Sequence, residues 1–184
     1  MPPAYPTDPL TGYPRVVRAA IDARAPLALL QGLVANLARY AEWLSMHASF
    51  RSAPPEVASA GDTFAEQVTL MGIPADIAWT VAEAGEGSTV LTGTGPMDLT
   101  IALRVAVADG EDAGTVRVSV DAGIGGDPAE GPLGATVAAS VEEALRESVA
   151  RLAALAESLA ADPAEAAGRV PDRPWHRNGP PELP

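Results

Sequence analysis

Between Leu133 and Leu159 an apolar residue recurs every three or four positions: Leu133, Val137, Val141, Leu145, Val149, Leu152, Leu155 and Leu159. Glu142, Glu143, Arg146, Glu147, Arg151 and Glu157 fall mostly off that line. Such spacing puts the apolar side chains on one face of a helix. A helix of about 28 residues is about 42 Å long at 1.5 Å per residue. One apolar stripe of that length needs an apolar surface to match, so the rest of the chain must supply one.

The segments upstream do so with a period of two. In 63–71, Phe64, Glu66, Val68 and Leu70 share one face; in 75–84, Ile77, Trp79 and Val81 do. Leu99, Ile101, Leu103, Val105 and Val107 alternate with polar or small residues in 97–108, and Val116, Val118, Val120 and Ile124 do so in 115–124. One dry face repeated strand after strand predicts an antiparallel sheet covered on one side. The connections Gly72-Ile73-Pro74, Gly85-Glu86-Gly87, Gly95-Pro96 and 109–114 are short and carry Gly or Pro, which favours a meander of hairpins. The stripe from Leu133 is then expected to lie on Leu99, Ile101, Leu103, Val116, Val118 and Val120. On the wetter face, Asp98, Arg104, Arg117 and Asp121 are expected to form cross-strand ion pairs.

Ahead of the sheet, 15–22 reads as a strand and 26–38 as an amphipathic helix carrying Leu29, Leu30, Leu33, Val34 and Leu37. A second short helix or loop is expected over 40–48, and a further short strand near Glu56–Ala60. Residues 1–14 and 161–184 are dense in proline, which sustains neither helix nor ladder. They are expected to be flexible, with Trp175 and His176 the only adhesive residues of the tail, and 15–160 to form the domain.

Composition removes several function classes. The net charge of −12 disfavours a nucleic-acid backbone or an anionic membrane surface as partner, since both require clustered cations. With no cysteine, disulfides, thiolate metal sites and a Cys nucleophile are absent. Two histidines far apart disfavour a His-rich metal centre and leave only a carboxylate-bound ion open, so no metal site and no cofactor are assigned. No signal-peptide pattern or long apolar run is present, giving a cytoplasmic protein without a membrane span as the expectation. Every basic residue is Arg, a bias that suits a GC-rich bacterial source. Nothing in the pattern sets an oligomeric state.

The order strand, helix, short helix, six strands, long helix goes with particular residues: Arg39 to Leu44 (RYAEWL), His47, Arg51 to Pro55 (RSAPP), Val68 to Pro74 (VTLMGIP), Ile77 to Val81 (IAWTV) and Leu91 to Pro96 (LTGTGP). Together these resemble the START-like superfamily, also called SRPBCC or Bet v 1-like. Within it they resemble the actinobacterial polyketide cyclase/dehydrase-like branch, which includes toxin-like members of toxin–antitoxin pairs. The resemblance covers 15–160. It implies an α+β helix-grip fold: a curved seven-stranded antiparallel sheet around a long C-terminal helix, with an internal cavity. It implies binding of a small hydrophobic molecule, lipid- or polyketide-like, in that cavity. Two other activities remain open: cyclisation or dehydration of a poly-β-keto chain, and binding of a protein partner such as an antitoxin.

The candidate catalytic residues are Glu66, His47 and Tyr40. Glu66 sits on a dry face, where a carboxylate must be paired, hydrogen-bonded or protonated; the plain alternative is a strand wet on both faces. His47, between Leu44 and Phe50, is either a general acid/base or a packing histidine. Tyr40 either offers its hydroxyl to a bound carbonyl or packs. The candidate ligand contacts are Trp43, Phe64, Val68, Met71, Trp79, Leu91, Leu99, Ile101, Leu133, Val137 and Val141, which equally can fill a core.

Overall fold

The computed structural model describes residues 8–162. The expectations for residues 1–7 and for 163–184, Trp175 and His176 included, lie outside the described residues. Strand β1 is Arg15–Ala23, followed by α1 (Leu27–Ala35), a single 3-10 turn (Leu37–Arg39), α2 (Tyr40–Trp43) and β2 (His47–Phe50). Then come β3 (Thr63–Leu70), β4 (Ile73–Gly85), β5 (Ser88–Thr94), β6 (Thr100–Asp109) and β7 (Val116–Gly125). The chain closes with α3 (Asp127–Glu130) and α4 (Gly134–Ala161).

All seven strands make one curved antiparallel sheet in the order β1-β7-β6-β5-β4-β3-β2. From β2 to β7 every neighbour in sequence is a neighbour in space, because the connections are too short for crossovers. The inner face carries Phe64, Val68, Ile77, Trp79, Leu103, Val105, Val118 and Val120, all buried. On α4, Val141, Leu145, Val149, Leu152, Ala156 and Leu159 turn towards it. Leu145 is fully enclosed, a burial that contributes roughly 1.5–3 kcal/mol.

Several details differ from the sequence reading. Helix α4 runs closest to β1 and β7, while α1 lies over β5 and β6, so two helices divide the surface expected for one. Leu133 ends the stripe outside the core, 62% exposed, because it caps α4 instead of lying within it. The second helix stops at Trp43: Leu44 is extended, and His47 opens β2 opposite Val68. No strand forms at 56–60, since β2 already occupies the edge of β3. That stretch is a loop tied by Ala58 N–H to the Ala35 carbonyl, 2.9 Å.

Residues 8–14, expected as part of a loose arm, lie across the outer face of the sheet. Leu10 is 2% exposed, and Tyr13 covers Gly123 so closely that a Cβ there would stand 2.6 Å from the ring. The ion pairs of this face are also redistributed. Arg104 faces Asp121 in register and bonds it. Arg18 reaches Asp121 at 3.0 Å and Asp8 at 3.2 Å, tying the segment down. Arg117 pairs with Asp22 at 3.2 Å, and Asp98 sits in a left-handed turn at φ 54°.

Candidate functional site

One end of the sheet is left open. The β3–β4 turn, the β5–β6 loop, α3 and the first turns of α4 surround an apolar groove of about 320 Å³. Its walls include Leu70, Leu99, Val137 and Val141. Its rim includes Met71, Ile73, Met97 and Leu133, between 43% and 69% exposed. Exposed apolar side chains gathered around a concavity make this groove a candidate binding surface. The turns are also strained: Met71 and Met97 have φ of 54° and 58°, a region that normally takes glycine. Non-glycine residues persist there only where the surroundings enforce it, and such positions cluster at ligand clamps.

A second, polar cluster lies deeper. Glu66 is 2% exposed on the inner face of β3. Trp79 donates its Nε1–H to Oε2 at 2.9 Å, and His47 Nδ1 meets Oε1. Burial pushes the Glu66 carboxyl above its ordinary range, against the opposing pull of the His47 and Trp79 hydrogen bonds. His47 Nε2 has no hydrogen-bond partner among the described residues. A carboxylate fixing one ring nitrogen while the other stays free is the arrangement of an oriented acid–base histidine. The ring rests on Phe50, centroids 4.5 Å apart, and Phe64 and Trp79 stack at 6.5 Å.

Gly93 makes this cluster feasible. It faces Trp79 in the β4–β5 register, and a Cβ there would stand 2.7 Å from the Trp79 ring and 2.6 Å from Ile77. Only a glycine lets the indole lie flat over β5 with its nitrogen aimed at Glu66.

Of the sequence candidates, Glu66 and His47 come together. Tyr40 does not join them through its hydroxyl, which donates to the Val34 carbonyl at 2.8 Å; burial raises its pKa. Met71, Leu99, Leu133, Val137 and Val141 line the groove. Trp43, Phe64, Val68, Trp79, Leu91 and Ile101 are packed in the core. Trp43 Nε1 is buried there without a hydrogen-bond partner. Ile73, Met97 and Asp127 line the groove but escaped the sequence reading. The available signal was apolar residues inside Gly/Pro turns, Met71-Gly72-Ile73-Pro74 and Pro96-Met97, where solvent-facing polar side chains are usual. Among the described residues no group of acidic and histidine side chains is placed to hold a metal ion, and no helix is long and apolar enough to cross a membrane.

The comparisons with known proteins agree on the fold. A family model described as polyketide cyclase/dehydrase and lipid transport matches residues 14–157. A Mycobacterium tuberculosis protein named as a toxin is 37% identical over 116 residues, 62% of this chain and 78% of its own length. The Zhui aromatase/cyclase of a Streptomyces species superposes with a TM-score of 0.62 at 14% identity, over 79% of this chain and 94% of that one. A START-superfamily protein from Mycobacterium smegmatis gives 0.59 at 15% identity, over 79% and 99%.

Proposed function

This chain belongs to the polyketide cyclase/dehydrase and lipid-transport family, and we propose that its own task is to bind a small hydrophobic molecule in the groove between the sheet end and α4. The observation that carries the reading is the rim: Met71, Ile73, Met97 and Leu133 stand in solvent around one apolar concavity. A ligand seated there removes their apolar surface from water, worth roughly 25 cal/mol per Å². The two methionines suit an occupant of variable shape, since a thioether chain repacks easily.

The test is a titration with decanol, followed by the methyl resonances of Met71 and Met97 and by thermal denaturation. Shifts at both methyls with a raised Tm are expected, and Leu133→Asp should abolish them. Decanol that moves neither methyl and leaves Tm unchanged rules the reading out.

A second reading, cyclisation or dehydration of a poly-β-keto chain, is favoured by the His47–Glu66 pair. His47 Nε2 is the atom that would take and return a proton, with Glu66 holding the ring and balancing its charge. Turnover of a poly-β-keto mimic is expected to fall by about a hundredfold or more in His47→Ala. Unchanged turnover in that variant removes this reading and leaves the first standing.

A further inference from the structure

The groove wall is apolar except at two side chains, Ser140 and Asp127. No hydrogen bond or ion pair engages the Asp127 carboxylate among the described residues. The same loops carry Asp98 and Glu130, both exposed and likewise without a cationic partner there. Two arginines near this end are neutralised by carboxylates: Arg51 pairs with Asp76 at 3.1 Å, and Arg146 bridges Glu142 and Glu143. Arg15 keeps its charge, since its Nε–H goes to the Ala129 carbonyl at 3.3 Å, but it is one cation against Asp98, Asp127 and Glu130. The chain as a whole carries −12, which adds a field of the same sign.

An apolar groove with a net acidic mouth distinguishes ligands by their heads. A fatty carboxylate placed there meets like charge, whereas an ammonium gains opposite charge, and a hydroxyl is indifferent. We infer that the groove takes a cationic amphiphile, its hydrocarbon body among Leu99, Val137 and Val141 and its amine at Asp127, and that it discriminates against fatty carboxylates. This rests on the apolar-ligand reading above and specifies the head group that reading leaves open. The net charge of the occupant is read by Asp127, with Asp98 and Glu130 adding to the field.

The experiment compares decylamine, decanol and decanoate, which share a chain length, by titration of the full chain below their aggregation concentrations. At low salt the affinity order is amine, alcohol, carboxylate, with about tenfold between the ends. High salt draws the three together, because exposed charges are screened. Asp127→Asn weakens decylamine about threefold more than it weakens decanol.

Equal affinity for decylamine and decanol at low salt, or a preference for decanoate, overturns the inference while leaving the apolar-ligand reading intact. Equal loss of decanol and decylamine in Asp127→Asn also overturns it, since Asp127 would then shape the groove without reading charge. Failure of all three to bind the native chain overturns both, and is told apart by the silent decanol arm.

Discussion

Along β3 the molecule breaks the ordinary rule of burial twice, in opposite senses. At the Leu70 end, apolar side chains stand in water around the groove. At Glu66, about 13 Å away at 3.3 Å per residue, a carboxylate and an imidazole are enclosed among aromatic rings. The two departures differ in what they do to the fold. The rim forgoes burial energy but leaves nothing unsatisfied, so the fold does not depend on its being covered. The Glu66 cluster has its polar atoms desolvated, and it persists because each carboxylate oxygen has a nitrogen partner. An exposed apolar site is thus easy to alter without unfolding the chain, while a buried polar one is not.

The largest expected effect breaks the buried side. Glu66→Ala leaves the Trp79 Nε1–H and His47 Nδ1 unpaired in the interior. It should cost about 3 kcal/mol, read as a fall in the denaturant midpoint with an unchanged slope. A midpoint within error of the native chain would mean that the cluster is wet. Gly93→Ala comes next. The added methyl collides with Trp79 and Ile77, and a cost of about 2 kcal/mol is expected, with a displaced Trp79 indole resonance.

The pH dependence is smaller and has a definite sign. Burial raises the folded pKa of Glu66 above its unfolded value. Its contribution is therefore fully present below the ordinary carboxylate range and is lost as pH rises through the folded value. Glu66→Gln should flatten that part of the stability–pH curve, and an identical curve in the variant would remove Glu66 as its source. The smallest change in stability belongs to the groove. Met97→Gly relieves a left-handed residue at φ 58° while loosening the unfolded chain. Its Tm should stay within a degree or two of native, with decanol affinity lowered several-fold because the side chain no longer covers the ligand. A large loss of stability in this variant would place Met97 in the fold rather than in the site.

The sequence carried the sheet and α4 well, because both announce themselves as a period. Phe64, Glu66, Val68 and Leu70 share a face whatever follows, so the sequence marked Glu66 as a carboxylate on a dry face, and the fold decided that the face is buried rather than wet. His47 was less legible. It lies in a stretch of helix-like composition, yet it opens β2, since the free edge of β3 outweighs local preference. The Glu66–His47 contact joins residues nineteen positions apart through the β2–β3 register, and no local pattern encodes that. Tyr40 shows the reverse case: a hydroxyl that looked available is occupied by the Val34 carbonyl.

By itself the sequence determined the layers: an amphipathic helix of fixed length, strands with one dry face, and hairpin connections that order them. Those follow from backbone geometry, which repeats every few residues and leaves its mark in composition. Only the tertiary structure decided where the apolar surface runs out, leaving the groove uncovered, and which nitrogens reach Glu66. Both outcomes depend on distances between residues remote in sequence: α4 beginning only at Gly134, with Leu133 outside it, and Gly93 yielding the space that Trp79 fills.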